Sequence, residues 1–323
     1  MRGRSWAVGG ILALALAGVA TWLHHAPRPV PGNPVPPLVY LQAEPYPGSC
    51  AAWLGEELIV TWSERGRPGR IPFGSAVRPI PGASWVHELP EDRVLVVREG
   101  THSERGDSTE PGIIAVTSPN PPNTVLEPGG GVAWVADLDH SGIHTLQRRM
   151  LDGSPQKYAV AHLNWAPTEI WAALGDDTFL ASGNLFDLRR VRGDGSGAAP
   201  LPEHSGHLVA PVSEGGRWVT LQHKDTWSLA EVRWGDAPQI LQEQPLPGRP
   251  VTLRADDDGP VALVAIRPRQ LAVWWWRPEG VQITPLPWST VHACLALRGS
   301  KVGVFGFGHT FALDRTTGRT WRP

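Results

Sequence analysis

Histidines recur in the polar segments that separate the short apolar runs of this sequence. Histidine is the side chain best suited to ligate a metal or to move a proton near neutral pH. The histidines of these segments are His102, His140, His162, His204, His207, His223 and His309. His204 and His207 are three residues apart, so a zinc or copper site there needs further ligands from other segments. Two interpretations stay open, a shared binding face and surface histidines without a ligand.

Carboxylates accompany one of these segments. From Asp137 to Gly142 the sequence resembles the opening of a calcium loop, with oxygens at Asp137 and Asp139 and a glycine for the turn. The twelfth position is Arg148, where calcium loops carry a bidentate carboxylate. A hairpin tip rich in Asp and Gly is therefore the competing interpretation. We keep Asp137 and Asp139 as candidate ligands of a divalent metal and predict no other cofactor.

Two of the sixteen tryptophans, Trp165 and Trp288, fall in segments predicted to be loops. Exposed aromatic rings there could stack on a sugar or clamp a peptide. The alternative is a structural role, in which the two rings pack at the bases of the loops. With the polar residues they define a candidate ligand-binding face. Its members are His140, His162, Trp165, His204, His207, His223, Asp225, Trp288 and His309.

Short catalytic motifs are missing from the sequence. It contains no Gly-x-Ser-x-Gly elbow, no His-Glu-x-x-His pair, no phosphate loop and no Cys-x-x-Cys. No residue is therefore assigned a catalytic role.

The elements that must position these residues are short strands. With 36 Gly and 33 Pro spread along 323 residues, long helices are excluded. Comparable apolar runs recur about every 41 residues, beginning at Leu58, Val94, Val132, Thr178, Trp218, Val261 and Val302. This period predicts an all-β β-propeller of about seven four-stranded blades. Six or eight blades also fit, because a polar insertion at 99–111 interrupts the pattern.

Two turns carry a family resemblance. Leu151-Asp-Gly-Ser and Gly193-Asp-Gly-Ser-Gly resemble the turns of TolB-like or WD-repeat-like bacterial β-propellers. The last unit, Ala312 to Trp321, is similar to quinoprotein-type propeller repeats, but its spacing before the Trp differs by one residue. The resemblance covers the chain from about residue 38 onward. It implies an architecture and no functional residue or quinone cofactor.

The N-terminus predicts export from the cytoplasm. Arg2 and Arg4 precede the uncharged run from Trp6 to Leu23, so residues 1–26 are a signal peptide or a membrane anchor. Residues 27–37 form a Pro-rich spacer, which favours the anchor, and residues 38–323 form the propeller domain. The predicted location is periplasmic or secreted, with membrane contact only through the N-terminal segment.

Cys50 and Cys294 each precede an apolar run by eight residues, so they occupy the same position in the first and last repeats. The first and last blades of a closed propeller are neighbours, and an oxidising compartment permits a disulfide. A pair of buried thiols is the alternative.

The charge balance of the chain excludes one class of function. The 29 basic and 31 acidic residues give a net charge of −2, which excludes a typical nucleic-acid binder. The leading hypothesis is a non-catalytic, monomeric extracytoplasmic propeller that binds an envelope protein or a small molecule through its loop face. The alternative is a lyase or hydrolase of a saccharide or lactone, with a divalent metal as a possible cofactor. A structural module of an envelope assembly is a third hypothesis.

Overall fold

Strands make up nearly all the regular structure of this protein. The computed structural model describes residues 50–62, 76–99, 105–106, 111–118, 124–139, 142–151, 159–162, 167, 169–175, 177–182, 188–194, 196–201, 212–277, 279–290, 293–306 and 309–323. These ranges contain no α-helix and one 3₁₀ turn, Glu214–Gly216. In the same ranges no helix has the length and apolar character needed to cross a membrane. The predicted leader and spacer lie outside the described residues.

The described strands fall into seven small sheets. The first sheet has β1 (Ala51–Leu54), β2 (Glu57–Trp62) and β3 (Val77–Pro81). The second has β4 (Ala83–Leu89), β5 (Arg93–Glu99), β6 (Arg105–Gly106) and β7 (Ile113–Ser118). The third has β8 (Thr124–Leu126), β9 (Val132–Asp139), β10 (Gly142–Met150) and β11 (Ala159–His162).

The remaining four sheets continue in chain order. The fourth has β12 (Glu169–Gly175), β13 (Thr178–Ser182), β14 (Leu188–Arg192) and β15 (Gly197–Pro200). The fifth has β16 (Trp218–His223), β17 (Thr226–Arg233) and β18 (Gln239–Leu246). The sixth has β19 (Arg249–Asp256), β20 (Gly259–Arg267), β21 (Gln270–Arg277) and β22 (Gly280–Ser289). The seventh has β23 (Cys294–Arg298), β24 (Lys301–Gly306), β25 (His309–Asp314) and β26 (Thr320–Trp321).

Most sheets are simple antiparallel meanders, but the first two depart from that order. In the first sheet β3 pairs parallel to β2, and in the second β7 pairs parallel to β5 with β6 at the outer edge. Parallel neighbours need a long connection, and residues 63–76 and 100–112 separate these strand pairs. The polar insertion seen in the sequence thus falls where the second sheet changes its strand order. In the fifth sheet, a bridge from Val212 to Val219 adds an inner partner to β16.

The sheets pack face to face, so their central strands are apolar on both faces. Residues 260–264 of β20 are all buried, as are all five residues of β13. Burial on both faces explains why the sequence shows continuous apolar runs instead of strict alternation. The periodic runs used to count repeats lie in the strands that follow the innermost strand of each sheet.

Apolar clusters join the sheets in chain order and then join the last sheet to the first. Representative members are Ile59 and Val86 between sheets one and two, Leu95 and Ala133 between two and three, Trp134 and Phe179 between three and four, Trp171 and Val219 between four and five, and Trp218 and Trp274 between five and six. Strand β19 of the sixth sheet lies against β23 of the seventh. Trp53 of the first sheet shares a cluster with Phe305 of the seventh sheet. This cyclic packing of small sheets around their first strands is that of a β-propeller.

The chain divides into two compact units. The larger comprises residues 41–286 and 290–323 and holds every interaction described below. The smaller is represented among the described residues by 287–289 alone.

Candidate functional site

A cavity of about 520 Å³ opens where three of the first strands end. It is lined by residues 88–92 at the end of β4, 254–256 at the end of β19 and 297–299 at the end of β23. Its volume is within the usual range for small-molecule sites. Since the three segments come from the second, sixth and seventh sheets, only the closed ring brings them together. We call this site the channel-mouth cavity.

The channel-mouth cavity lies at one end of the three sheets that line it. Its residues lie at the ends of first strands and in the turns that lead to second strands, such as Pro90 to Asp92 between β4 and β5. In an antiparallel four-stranded blade, the turns from second to third strand lie at the other end. The turns that follow His223 and precede His309 connect second strands to third strands, so they lie at the other end of their sheets from the turns at this cavity.

Glu88 ties three first strands together beside the cavity. Its Oε1 accepts the backbone N–H of Trp53 in β1 at 2.8 Å, and its Oε2 accepts that of Leu297 in β23 at 3.2 Å. A first strand has one edge without a strand neighbour in its own sheet, so its amides need other acceptors. The Glu88 carboxylate supplies them and holds the walls of the cavity in place.

Arg298 and Asp92 form an ion pair at the rim. Arg298 Nη1 donates to Asp92 Oδ1 and also to the carbonyl oxygen of Trp53 at 3.0 Å. Asp92 Oδ1 accepts the N–H of Gly55 at 2.6 Å. Asp92 and its neighbour Glu91 have φ of 57° and 59°, in the left-handed region that non-glycine residues rarely adopt. The turn that carries Asp92 is therefore a strained one, held by contacts to two other sheets.

Arg254 is the most deeply placed charged side chain of the lining, with 7% of its surface exposed. Its Nη1 donates to the carbonyl oxygen of Leu253 at 3.1 Å. His87, in β4, is 4% exposed. Burial first, and the positive charge of Arg254 second, lower the pKa of His87 to about 3, so its imidazole is neutral at pH 7. Within the described residues, His87 Nε2 is buried and has no hydrogen-bond partner.

Arg315 holds the opposite rim. It lies in the turn after β25, and 4% of its surface is exposed. Its guanidinium donates to Asp256 Oδ1, to Asp258 Oδ2 at 3.2 Å and to the carbonyl oxygen of Gly259 at 3.0 Å. Both rim aspartates, Asp92 and Asp256, are thus fixed by arginines from the seventh sheet. Such supports give the cavity a preorganised polar rim.

The cavity lining combines charged and apolar side chains. The lining offers fixed positive and negative groups at different depths, with apolar walls from Leu89 and Leu297. In the ranges that the structure describes, no three His, Cys, Asp or Glu side chains are grouped so that they could hold a metal ion. The side chains of Asp137 and Asp139 are outside that search, so their metal assignment stays a prediction.

The predicted loop face is described only in part. His223 ends β16 and Asp225 lies exposed in the turn that follows. His223 Nε2 is 2.8 Å from Glu243 Oε1, which also accepts the hydroxyl of Ser228. Because Glu243 lies between the other two, the serine hydroxyl contacts a carboxylate and not the imidazole, so this trio lacks the order of a catalytic triad.

Other predicted site residues lie in strands where loops were expected. Trp288 belongs to β22, an outer strand that tolerates the neighbouring prolines because its free edge needs no N–H donor. The backbone of His162 ends β11, and His309 is the first residue of β25. Asp137 and Asp139 lie in β9, which turns back into β10 through two residues, a connection shorter than a calcium loop.

The remaining predicted residues of this face, His140, Trp165, His204 and His207, lie outside the described residues, as does His102. Their convergence on one site stays a prediction.

The two cysteines form a disulfide that joins the first and last sheets. Cys50 immediately precedes β1 and Cys294 begins β23, with Cα atoms 5.5 Å apart. Both pack against the cluster that contains Trp53 and Phe305. The disulfide, the Arg298 contacts and an ion pair between Lys301 and Glu56 all cross this closing interface.

Comparison with known proteins assigns neither a family nor a function to this chain. No family model matches the chain, and no curated protein matches it. Among solved structures, the chain is similar to the β-propeller domain of Swd1 from Myceliophteria thermophila. The identity is 11%, the TM-score is 0.38, and the match covers 62% of this chain and 71% of that one. These values carry no argument about function, and no comparison shows the TolB-like family.

Sequence reasoning missed the channel-mouth cavity. Its signal was a charged residue between apolar neighbours in a first strand, as with Arg254 between Leu253 and Ala255. Buried charges are rare unless they are paired or functional, so these positions could have been selected. Their convergence on one cavity could not have been predicted, because they are up to about two hundred residues apart in the sequence.

Proposed function

We propose that this protein is a non-catalytic, extracytoplasmic β-propeller that binds a small polar ligand in the channel-mouth cavity. The observation that carries the proposal is the cavity itself, about 520 Å³ in volume and lined by charged side chains held from three sheets. The lack of catalytic motifs in the sequence supports binding over turnover.

The proposal includes seven blades, one for each described sheet. The recurrence of about 41 residues supports this count, as does the cluster shared by the first and last sheets. Closure between those sheets would create the channel mouth, so the proposed site depends on the complete ring.

Location outside the cytoplasm is supported by the N-terminal sequence and by the disulfide between Cys50 and Cys294. Disulfides persist in oxidising compartments and are rare in the cytoplasm. The loop face remains the proposed contact for an envelope protein, with the chain itself monomeric and the N-terminal segment as its only membrane contact.

The test is a screen of polar small molecules against the full-length protein, with thermal stability and ligand-observed NMR as readouts. Ala255→Tyr places a ring in the cavity wall, and Ala237→Tyr adds the same ring at an exposed turn outside it. We expect compounds that stabilise the wild-type protein and the Ala237→Tyr variant, with at least a tenfold loss of affinity in Ala255→Tyr. Ligands unaffected by Ala255→Tyr would place the binding site elsewhere, and conversion of a hit to product would favour the enzyme hypothesis.

A further inference from the structure

The disulfide between Cys50 and Cys294 shares a strand with the channel-mouth cavity. Cys294 is the first residue of β23, and Leu297, Arg298 and Gly299, at the end of that strand and just after it, form one wall of the cavity. At about 3.3 Å per residue, this wall begins about 10 Å from the disulfide. The cross-link therefore fixes the start of the strand that carries the wall.

The contacts that hold the cavity end of β23 to other sheets are polar. The N–H of Leu297 donates to Glu88 Oε2 at 3.2 Å, and Arg298 donates to the carbonyl oxygen of Trp53 at 3.0 Å and to Asp92. The side chains of Arg298 and Asp92 are 26% and 58% exposed, so water competes for this ion pair and each contact contributes little. The position of the cavity wall therefore depends on the disulfide at the other end of the strand.

The disulfide lies where a thiol can reach it. Both cysteines are partly exposed, at the margin of the apolar cluster that holds Trp53 and Phe305. Disulfides that are open to solvent exchange with thiols much more readily than enclosed ones. The sequence has no other cysteine, so the reduced pair can re-form only the same intramolecular bond. The cross-link is therefore both accessible and reversible.

We propose that the disulfide between Cys50 and Cys294 is a site of thiol–disulfide exchange, through which a dithiol reductant loosens the β23 wall of the channel-mouth cavity. A thiolate of the reductant attacks one sulfur and forms a mixed disulfide, and the other cysteine leaves as a thiolate and takes up a proton. The second thiol of the reductant then releases the first cysteine. The protein gains two electrons and two protons, and the reductant becomes a disulfide.

The exchange reaction is independent of the proposed function, whereas its effect on ligand binding rests on that function. Loosening the wall moves the residues that line one side of the cavity, so the reduced protein is the form with the weaker binding site. A disulfide reagent reverses both steps and restores the wall.

The first test is reduction of the folded full-length protein by dithiothreitol without denaturant, followed by alkylation and mass spectrometry. We expect both cysteines to be alkylated at a rate proportional to the dithiothreitol concentration and above the rate of global unfolding by about tenfold or more. Oxidised glutathione should then restore the bond. Reduction at the unfolding rate, whatever the dithiothreitol concentration, would show an enclosed disulfide and overturn the inference.

Hydrogen exchange followed by NMR measures the effect on the cavity wall. On reduction, the protection of the Leu297 amide should fall by about tenfold or more, while the amides of β9 in the third sheet keep theirs. Cys50→Ala/Cys294→Ala should match the reduced protein and should not respond to dithiothreitol. Unchanged protection of Leu297 would overturn the inference, and so would an equal loss in β9, because that would be global unfolding.

Binding measurements separate this inference from the proposed function. A polar compound that binds the oxidised protein in the cavity should bind the reduced protein and the double variant about fivefold more weakly or less. Equal affinity in all three would leave the proposed function standing and overturn the link between the disulfide and the cavity. If no compound binds the oxidised protein, the proposed function fails, and the reduction rate and the Leu297 amide still decide the inference.

Discussion

Cys50 and Cys294 are separated by 244 positions, yet their Cα atoms are 5.5 Å apart and their sulfurs are bonded. The disulfide closes the ring at the interface between the first and last sheets. In the chain-entropy model, a cross-link over a loop of this size stabilises the folded state by about 5 kcal/mol. We expect dithiothreitol to lower the urea midpoint of the wild-type protein markedly.

The double variant Cys50→Ala/Cys294→Ala is the control for this prediction. Its urea midpoint should match that of the reduced wild-type protein and should not respond to dithiothreitol. An equal midpoint for oxidised and reduced wild-type protein would show that the noncovalent contacts alone hold the interface.

Gly303 allows β24 to approach the first sheet. A Cβ atom at this position would lie 2.7 Å from Leu58 Cδ1 and 2.9 Å from Trp53 Cζ2. Since the tryptophan ring is buried and cannot move freely, we expect Gly303→Ala to reduce the free energy of unfolding by about 1–3 kcal/mol. Gly197→Ala is the control, because a Cβ there meets nothing within 4 Å. Equal unfolding midpoints for the two variants would argue against close packing at the closing interface.

Glu88 connects the amides of two other strands, so its loss should loosen the channel mouth. Glu88→Ala leaves the N–H groups of Trp53 and Leu297 without this acceptor, and we expect a loss of about 2–4 kcal/mol in unfolding free energy. Glu88→Gln keeps one acceptor oxygen and should lose less. Hydrogen exchange at the two amides is the local measurement. Unchanged protection of both in Glu88→Ala would contradict the proposed contact.

Buried His87 makes stability depend on pH. Its pKa is about 3 in the folded protein and about 6.5 when unfolded, so the unfolded chain binds a proton first as pH falls. The stability that this histidine contributes is therefore present above pH 6.5 and is lost as pH falls toward 3. Between pH 7 and pH 5 the loss should be about 2 kcal/mol, which is set by the unfolded pKa.

The control variant for this prediction is His87→Gln, which cannot titrate in that range. Denaturant unfolding at pH 7 and pH 5 should show a smaller difference for the variant than for the wild-type protein. An identical difference in both proteins would mean that His87 is protonated in the folded state, and would contradict its burial beside Arg254.

The strands were largely predictable from the sequence, since their signals are local. Runs such as the one beginning at Val261 are apolar because both faces of a central strand are covered, and turn residues separate them at a regular spacing. The exceptions also have local causes. Trp288 is predicted to lie in a loop between blades, but it belongs to an outer strand, which accepts the prolines that precede it.

The sequence alone established an all-β repeat architecture with two cysteines at equivalent positions, because periodicity and turn chemistry are properties of neighbouring residues. Only the tertiary structure decided which distant residues share a site. Glu88, Arg254 and Arg298 lie on three strands that meet only when the last sheet packs against the first. Ring closure is a long-range event without a local signal, so the site at the channel mouth could not be read from the order of the residues.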